Sequence, residues 1–101
     1  MSAATRGGVY RRADVKHPAV VCVISNDMLH SVTPYVIVIP VLPVADEELH
    51  AVQGLIERPM RGFLSPNHVT WLPESALGER LGTVDPADLA FAVRTLVATV
   101  S

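Results

Sequence analysis

Ala19-Val20-Val21-Cys22-Val23-Ile24 and Tyr35-Val36-Ile37-Val38-Ile39 are the two stretches that decide the fold class. Both are dense in β-branched side chains, which suit a pleated strand. Both are continuous apolar runs rather than alternating ones, the pattern of a strand buried on two faces. Joined by one short loop, they read as neighbours in a single sheet. Ser25-Asn26-Asp27 ends the first strand, with the Asn26 and Asp27 side chains bonding to local backbone. Met28 to Thr33 reads as a loop with a helical turn. Pro40 and Pro43 lack an amide hydrogen, so the second strand is expected to end, bulge or lie at an edge there.

Outward from this pair, Gly7-Gly8 precedes a short strand, Val9 to Ala13. Pro18 biases His17 toward extended backbone. Between Val44 and Gln53, Asp46-Glu47-Glu48 reads as a solvated turn, and Leu49, Ala51 and Leu55 suggest a further strand. Gly62 to Pro66 and Val69 to Leu72 read as two strand pieces around a kink. Pro73 to Leu77 reads as one helical turn stopped at Gly78. Near the end, Asp85 can cap a helix, Pro86 fits its first position, and Asp88 adds negative charge beside the unpaired amides. Leu89, Val93, Leu96 and Val100 then recur at helical spacing, widened by Ala92 and Val97. That stripe is expected to pack on the sheet or partly on a second copy of the chain. Trp71 reads as a core or dimer anchor, with base stacking as the alternative.

The 101 residues fit one domain, taken as 1–101. Half are apolar and the net charge is -2, which excludes a disordered chain. The single cysteine, Cys22, lies inside an apolar run, so no disulfide framework exists and the thiol reads as a small core hydrophobe. This fits a reducing, cytoplasmic setting. No apolar signal-like segment opens the chain, and no apolar run is long enough to span a bilayer, so no membrane partner is expected. The charge is uneven. Through His17 there are four basic residues (Arg6, Arg11, Arg12, Lys16) and one acid (Asp14); the remainder holds four basic residues and nine acids. A polyanion would therefore meet a local basic patch.

The phosphate-binding glycine loop, the nucleophile elbow and standard zinc spacing are all missing, so no metal or cofactor is expected. His17 follows three basic side chains; histidine transfers protons near neutral pH, and Arg11, Arg12 or Lys16 can hold a phosphate. A surface histidine before a proline is the plainer reading. His68, at the second kink with Ser65, Asn67 and Thr70, is a second proton-transfer candidate or a kink-stabilising hydrogen-bond donor. Ser25 could place its oxygen at a site rim.

Arg6-Gly7-Gly8-Val9-Tyr10, the block His17 to Asp27, Thr33 to Val41, and Leu77 to Asp85 resemble, in that order, successive segments of the MazF/PemK family, toxins of type II toxin–antitoxin pairs. Residues 44–60 match poorly and look shortened. The resemblance implies a mainly β fold, a compact, partly open SH3-like barrel (MazF/PemK/CcdB-like) with a C-terminal helix, assembling as a homodimer. It implies a metal-independent endoribonuclease that cleaves single-stranded RNA through a 2′,3′-cyclic phosphate, and a cognate antitoxin whose acidic tail covers the RNA groove. On this alignment His17 stands where the family has arginine, Leu42 where it has Thr or Ser, and His68 where it has glutamine. The expected catalytic pair is His17 and His68; the expected RNA contacts are Arg11, Arg12, Lys16, Ser25, Asn67 and Thr70. The apolar Leu42 supports an alternative, a non-catalytic binding protein directed at an antitoxin or gyrase. A structural homodimer without a nucleic-acid role is a third reading.

Overall fold

The computed structural model describes residues 4–43 and 55–100. The strand suggested around Leu49 and Ala51 falls outside them. The elements run β1 (Gly8–Arg12), β2 (Val20–Val23), α1 (Asp27–Val32), β3 (Tyr35–Leu42), β4 (Leu55–Ile56), β5 (Gly62–Leu64), β6 (Thr70–Pro73), β7 (Leu77–Thr83) and α2 (Pro86–Val100). The strands form one sheet in the order β4-β5-β3-β2-β1-β7, with β6 also paired to β3, and every pairing is antiparallel.

β2 and β3 are neighbours, and each presents apolar side chains to two cores. On one face Cys22, Ile39, Val41 and Leu64 pack with Val9, Ile56 and Ala92, and Leu89, Val93 and Leu96 of α2 close that side. On the other face Val21, Val23, Val36 and Val38 pack with Tyr10, Leu72 and Ala76. A strand with both faces covered has no polar side to display, which is why these runs do not alternate. β3, at eight residues, is longer than its neighbours and serves two partners along one side. On the side away from β2 it pairs with β6 through residues 35–38 and with β5 through 41–42.

The strand continues through Pro40 to Leu42 rather than stopping at the proline. Pro40 is the last residue of the β2 pairing and lies between the β6 and β5 pairings, while its carbonyl accepts from the Ser65 amide at 3.1 Å. The missing amide hydrogen therefore falls where the ladder changes partners.

Asn26 caps α1, its side-chain oxygen accepting from the Leu29 amide at 3.0 Å. The second kink is a 3-10 turn, Pro66–His68, between β5 and β6. A second 3-10 turn, Glu74–Ala76, leads into β7 instead of halting at Gly78. β7 was not legible as a strand: Gly78, Glu79, Arg80 and Thr83 are exposed, and its pairing with β1 supplies the order. At the start of α2, Asp85 Oδ1 accepts from the Ala87 amide at 2.9 Å. Val97 departs from the expected stripe and is exposed. Trp71 is not a core residue; it is 69% exposed.

Candidate functional site

A pocket of about 240 Å³ opens beside the second core, whose Val21 and Val38 line it. Val21, Val38, Pro40 and Leu42 form its apolar walls, and Arg12, His68 and Thr70 bring its polar groups. The strand register assembles them. Val21 lies opposite Pro40, and Val38 lies opposite Thr70. Arg12 is the last residue of β1, and its amide bonds to the Ala19 carbonyl at 2.9 Å, closing the base of the 13–19 loop beside the pocket.

His68 ends the 3-10 turn, against which α2 packs. Its Nδ1 lies 2.8 Å from the Oγ of buried Ser65. The Ser65 amide is itself tied to the Pro40 carbonyl, so the histidine is anchored through the turn to β3. A hydroxyl can donate or accept, so this contact is compatible with either neutral tautomer and leaves Nε2 free of the Ser65 bond.

Arg12 holds Asp14 with two hydrogen bonds, Nε to Oδ1 at 2.9 Å and Nη2 to Oδ2 at 2.7 Å. Those bonds hold the Asp14 carboxyl below its usual range and push the Arg12 guanidinium further up. Asp14 takes one edge of the guanidinium fork, leaving the outer end to meet an anion. Arg12 is the one permanent cation among the described residues lining the pocket.

The other expected site residues lie elsewhere. Arg11 is exposed and pairs with Glu79 at 3.1 Å, away from the pocket lining. Lys16 and His17 are exposed on the 13–19 loop, and Asn67 is exposed on the 3-10 turn beside His68. His17 and His68 do not share the pocket's walls. Ser25 is spent on the fold: it is buried, its Oγ accepts from the Ile37 amide at 3.0 Å, and it lies 2.6 Å from His30 Nε2. Leu42 was read as an apolar departure from the family pattern, and it does stand in the pocket wall.

A second, open cleft of about 850 Å³ is lined by Thr5, Asp27, His30, Ser31, Glu74 and Ser75 among others. Sequence reasoning did not single out His30. Its ring is buried, with Nδ1 facing Asp27 Oδ1 at 3.6 Å and making no hydrogen bond. Ser25, His30 and Asp27 line up in the manner of a hydrolase triad. The serine does not reach the cleft and its oxygen already accepts an amide hydrogen, so it is not a nucleophile. Cys22 is equally inert: burial pushes its thiol up to about 12, so it stays protonated at neutral pH. Among the described residues, no group of three or more His, Cys, Asp or Glu is arranged to hold a metal ion, and no helix is long and apolar enough to cross a membrane.

A curled antiparallel half-barrel closed by a C-terminal helix is the MazF fold. The MazE–MazF structure from Deinococcus radiodurans matches it with a TM-score of 0.79 at 15% identity, covering 99% of this chain and 97% of that one. An endoribonuclease in complex with its cognate antitoxin, from a mycobacterial species, matches with a TM-score of 0.72 at 23% identity, covering 98% and 93%. An endoribonuclease from a mycobacterial species matches with a TM-score of 0.74 at 23% identity, covering 98% and 91%. Residues 7–99 match the family model described as type II toxin–antitoxin system toxin Rv0299, and the chain belongs to that toxin family. No curated protein matches the chain significantly.

Proposed function

We propose that this toxin is a metal-independent endoribonuclease that cleaves single-stranded RNA at the Arg12–His68–Thr70 pocket. The observation that supports it is the convergence of an arginine from β1 with a histidine from the turn that leads into β6 and a threonine at the start of that strand on one small pocket. The reaction has three requirements: removing the proton of a 2′-hydroxyl, stabilising charge on the phosphate, and protonating the departing 5′-oxygen. The 2′-oxygen attacks phosphorus, the bond from phosphorus to the 5′-oxygen breaks, and the products are a 2′,3′-cyclic phosphate and a 5′-hydroxyl.

Arg12 is assigned to the phosphate and Thr70 to a hydrogen bond with it. His68 is assigned one proton transfer through Nε2. His17, on the loop that leaves the pocket at Arg12, is assigned the other. Lys16 and Asn67 are assigned to the flanking RNA backbone. The same reading takes residues 1–101 as one domain, a cytoplasmic homodimer neutralised by a cognate antitoxin.

The test is cleavage of a mixed-sequence RNA in EDTA, with analysis of product termini, by the unaltered protein and by Arg12→Ala, His68→Ala and His17→Ala. Cyclic phosphate ends, lost with His68→Ala and His17→Ala, are expected. No cleavage by the unaltered protein across varied RNAs would overturn the assignment. Equal cleavage by the unaltered protein and His17→Ala would remove His17 from the mechanism.

One observation favours a second reading. Leu42 gives the pocket wall a methyl surface where the resembling family carries a hydroxyl. A binding protein that has lost catalysis would retain the pocket and recover a partner in a pull-down while leaving RNA intact.

A further inference from the structure

The assigned chemistry uses only one face of β6. Thr70 looks into the pocket; Trp71, the next residue, projects from the other face, because successive strand residues alternate. Trp71 is 69% exposed and Tyr35 is 45% exposed. Trp71 pairs with Ile37 and Tyr35 with Pro73, so the two aromatics are diagonal neighbours across β3 and β6. Their ring centroids are 5.8 Å apart with planes inclined at 44°. Such a pair braces the indole without covering it. Among the described residues β6 pairs with β3 alone, and no described strand borders its outer side. A flexible polymer seated in the pocket can pass around that side from one face of the strand to the other without crossing a second described strand.

We propose that Trp71, braced by Tyr35, is a stacking platform for a base of the RNA that flanks the nucleotide cut in the pocket. This rests on the ribonuclease reading above. Two features favour a base as occupant. The indole offers a flat, largely exposed π-face to which any base can stack, independent of sequence. The platform also lies next to the pocket along the strand, one residue from Thr70 and on the opposite face of β6. The competing occupant is a second copy of the chain, since Met28 and Val32 of α1 are also exposed apolar side chains. The test separates the two.

Trp71 is the chain's single tryptophan, so emission excited beyond the tyrosine absorption band reports on this position alone. The 101-residue chain is titrated with a single-stranded RNA blocked against cleavage by 2′-O-methyl groups, and separately diluted without RNA. Steady-state kinetics are measured for Trp71→Ala and Trp71→Phe on cleavable RNA, with and without an abasic site beside the cleaved nucleotide. Saturable quenching by RNA is expected. Trp71→Ala should raise KM roughly tenfold with kcat unchanged, Trp71→Phe should recover much of that loss, and the abasic RNA should make all three proteins alike.

Normal cleavage with unmoved emission and an unchanged KM would overturn the platform and leave the ribonuclease reading standing. Emission that follows protein concentration without RNA, together with conversion to monomer by Trp71→Ala in sedimentation, would assign the face to a second copy instead. Failure of any RNA to bind or be cut would overturn both readings.

Discussion

Replacing Arg12 with alanine removes the one permanent cation from the described walls of the pocket. The remaining walls are Val21, Val38, Pro40 and Leu42, with His68 and Thr70 as the other polar groups. A phosphate entering among aliphatic side chains loses water, so a charge-assisted bond from the guanidinium carries much of its stabilisation. A hydrogen bond to a charged group contributes about 1.5–3 kcal/mol. That converts to a fall in kcat/KM of roughly 10- to 150-fold. The fold should hardly notice. Arg12 ends its strand and its partner Asp14 is only two residues away, with side chains 25% and 35% exposed. Such a pair adds little to stability, so Tm should move by no more than about 3 °C. Arg11→Ala is the control, because that side chain is exposed on Glu79 and absent from the pocket lining, and it should change the rate less than about twofold. The assay is initial-rate cleavage of a fluorophore-quencher RNA in EDTA at two salt concentrations, with a thermal melt of each variant. Equal losses from Arg11→Ala and Arg12→Ala would show that charge near the amino terminus matters and the pocket does not. A large fall in Tm for Arg12→Ala would make its effect structural.

Three further predictions follow from the packing and the electrostatics. The Asp14 carboxyl, held down by Arg12, should stay ionised to lower pH than an ordinary aspartate, so the pair's contribution is present above about pH 4 and lost as pH falls through the lowered value. Carboxyl-carbon NMR titration should show this midpoint return to the ordinary range in Arg12→Ala, and no change there would refute the pairing. Cys22, buried with its thiol pushed up to about 12, should ignore a disulfide reagent in the native protein and react once the chain is unfolded; prompt native reaction would contradict its burial. Gly62→Ala places a Cβ 2.7 Å from the Leu42 carbonyl oxygen and 3.1 Å from Val41 Cγ1, so β5 must move away from β3. A loss of about 1–3 kcal/mol, read as a fall in Tm of roughly 5–20 °C, is expected, and an unchanged melt would refute the close approach.

The local features of this toxin were written in short stretches of its sequence. β-Branched runs became β2 and β3, Asn26 capped α1, and Asp85 with Pro86 opened α2, because strand preference and capping depend on a few adjacent residues. His68 and Thr70 were legible as polar groups at a kink, and Leu42 as an apolar departure from the family pattern. Only the tertiary structure decided which of these meet. Val21 opposite Pro40 and Val38 opposite Thr70 are pairings between distant segments, and they gather Arg12, Leu42, His68 and Thr70 while leaving Arg11 and Lys16 outside and Ser25 buried. The same pairing made a strand of Leu77–Thr83, whose glycines and charges hide it from any local reading, and carried β3 through Pro40. Register is set by the burial of a whole face at once, and no single segment contains that information.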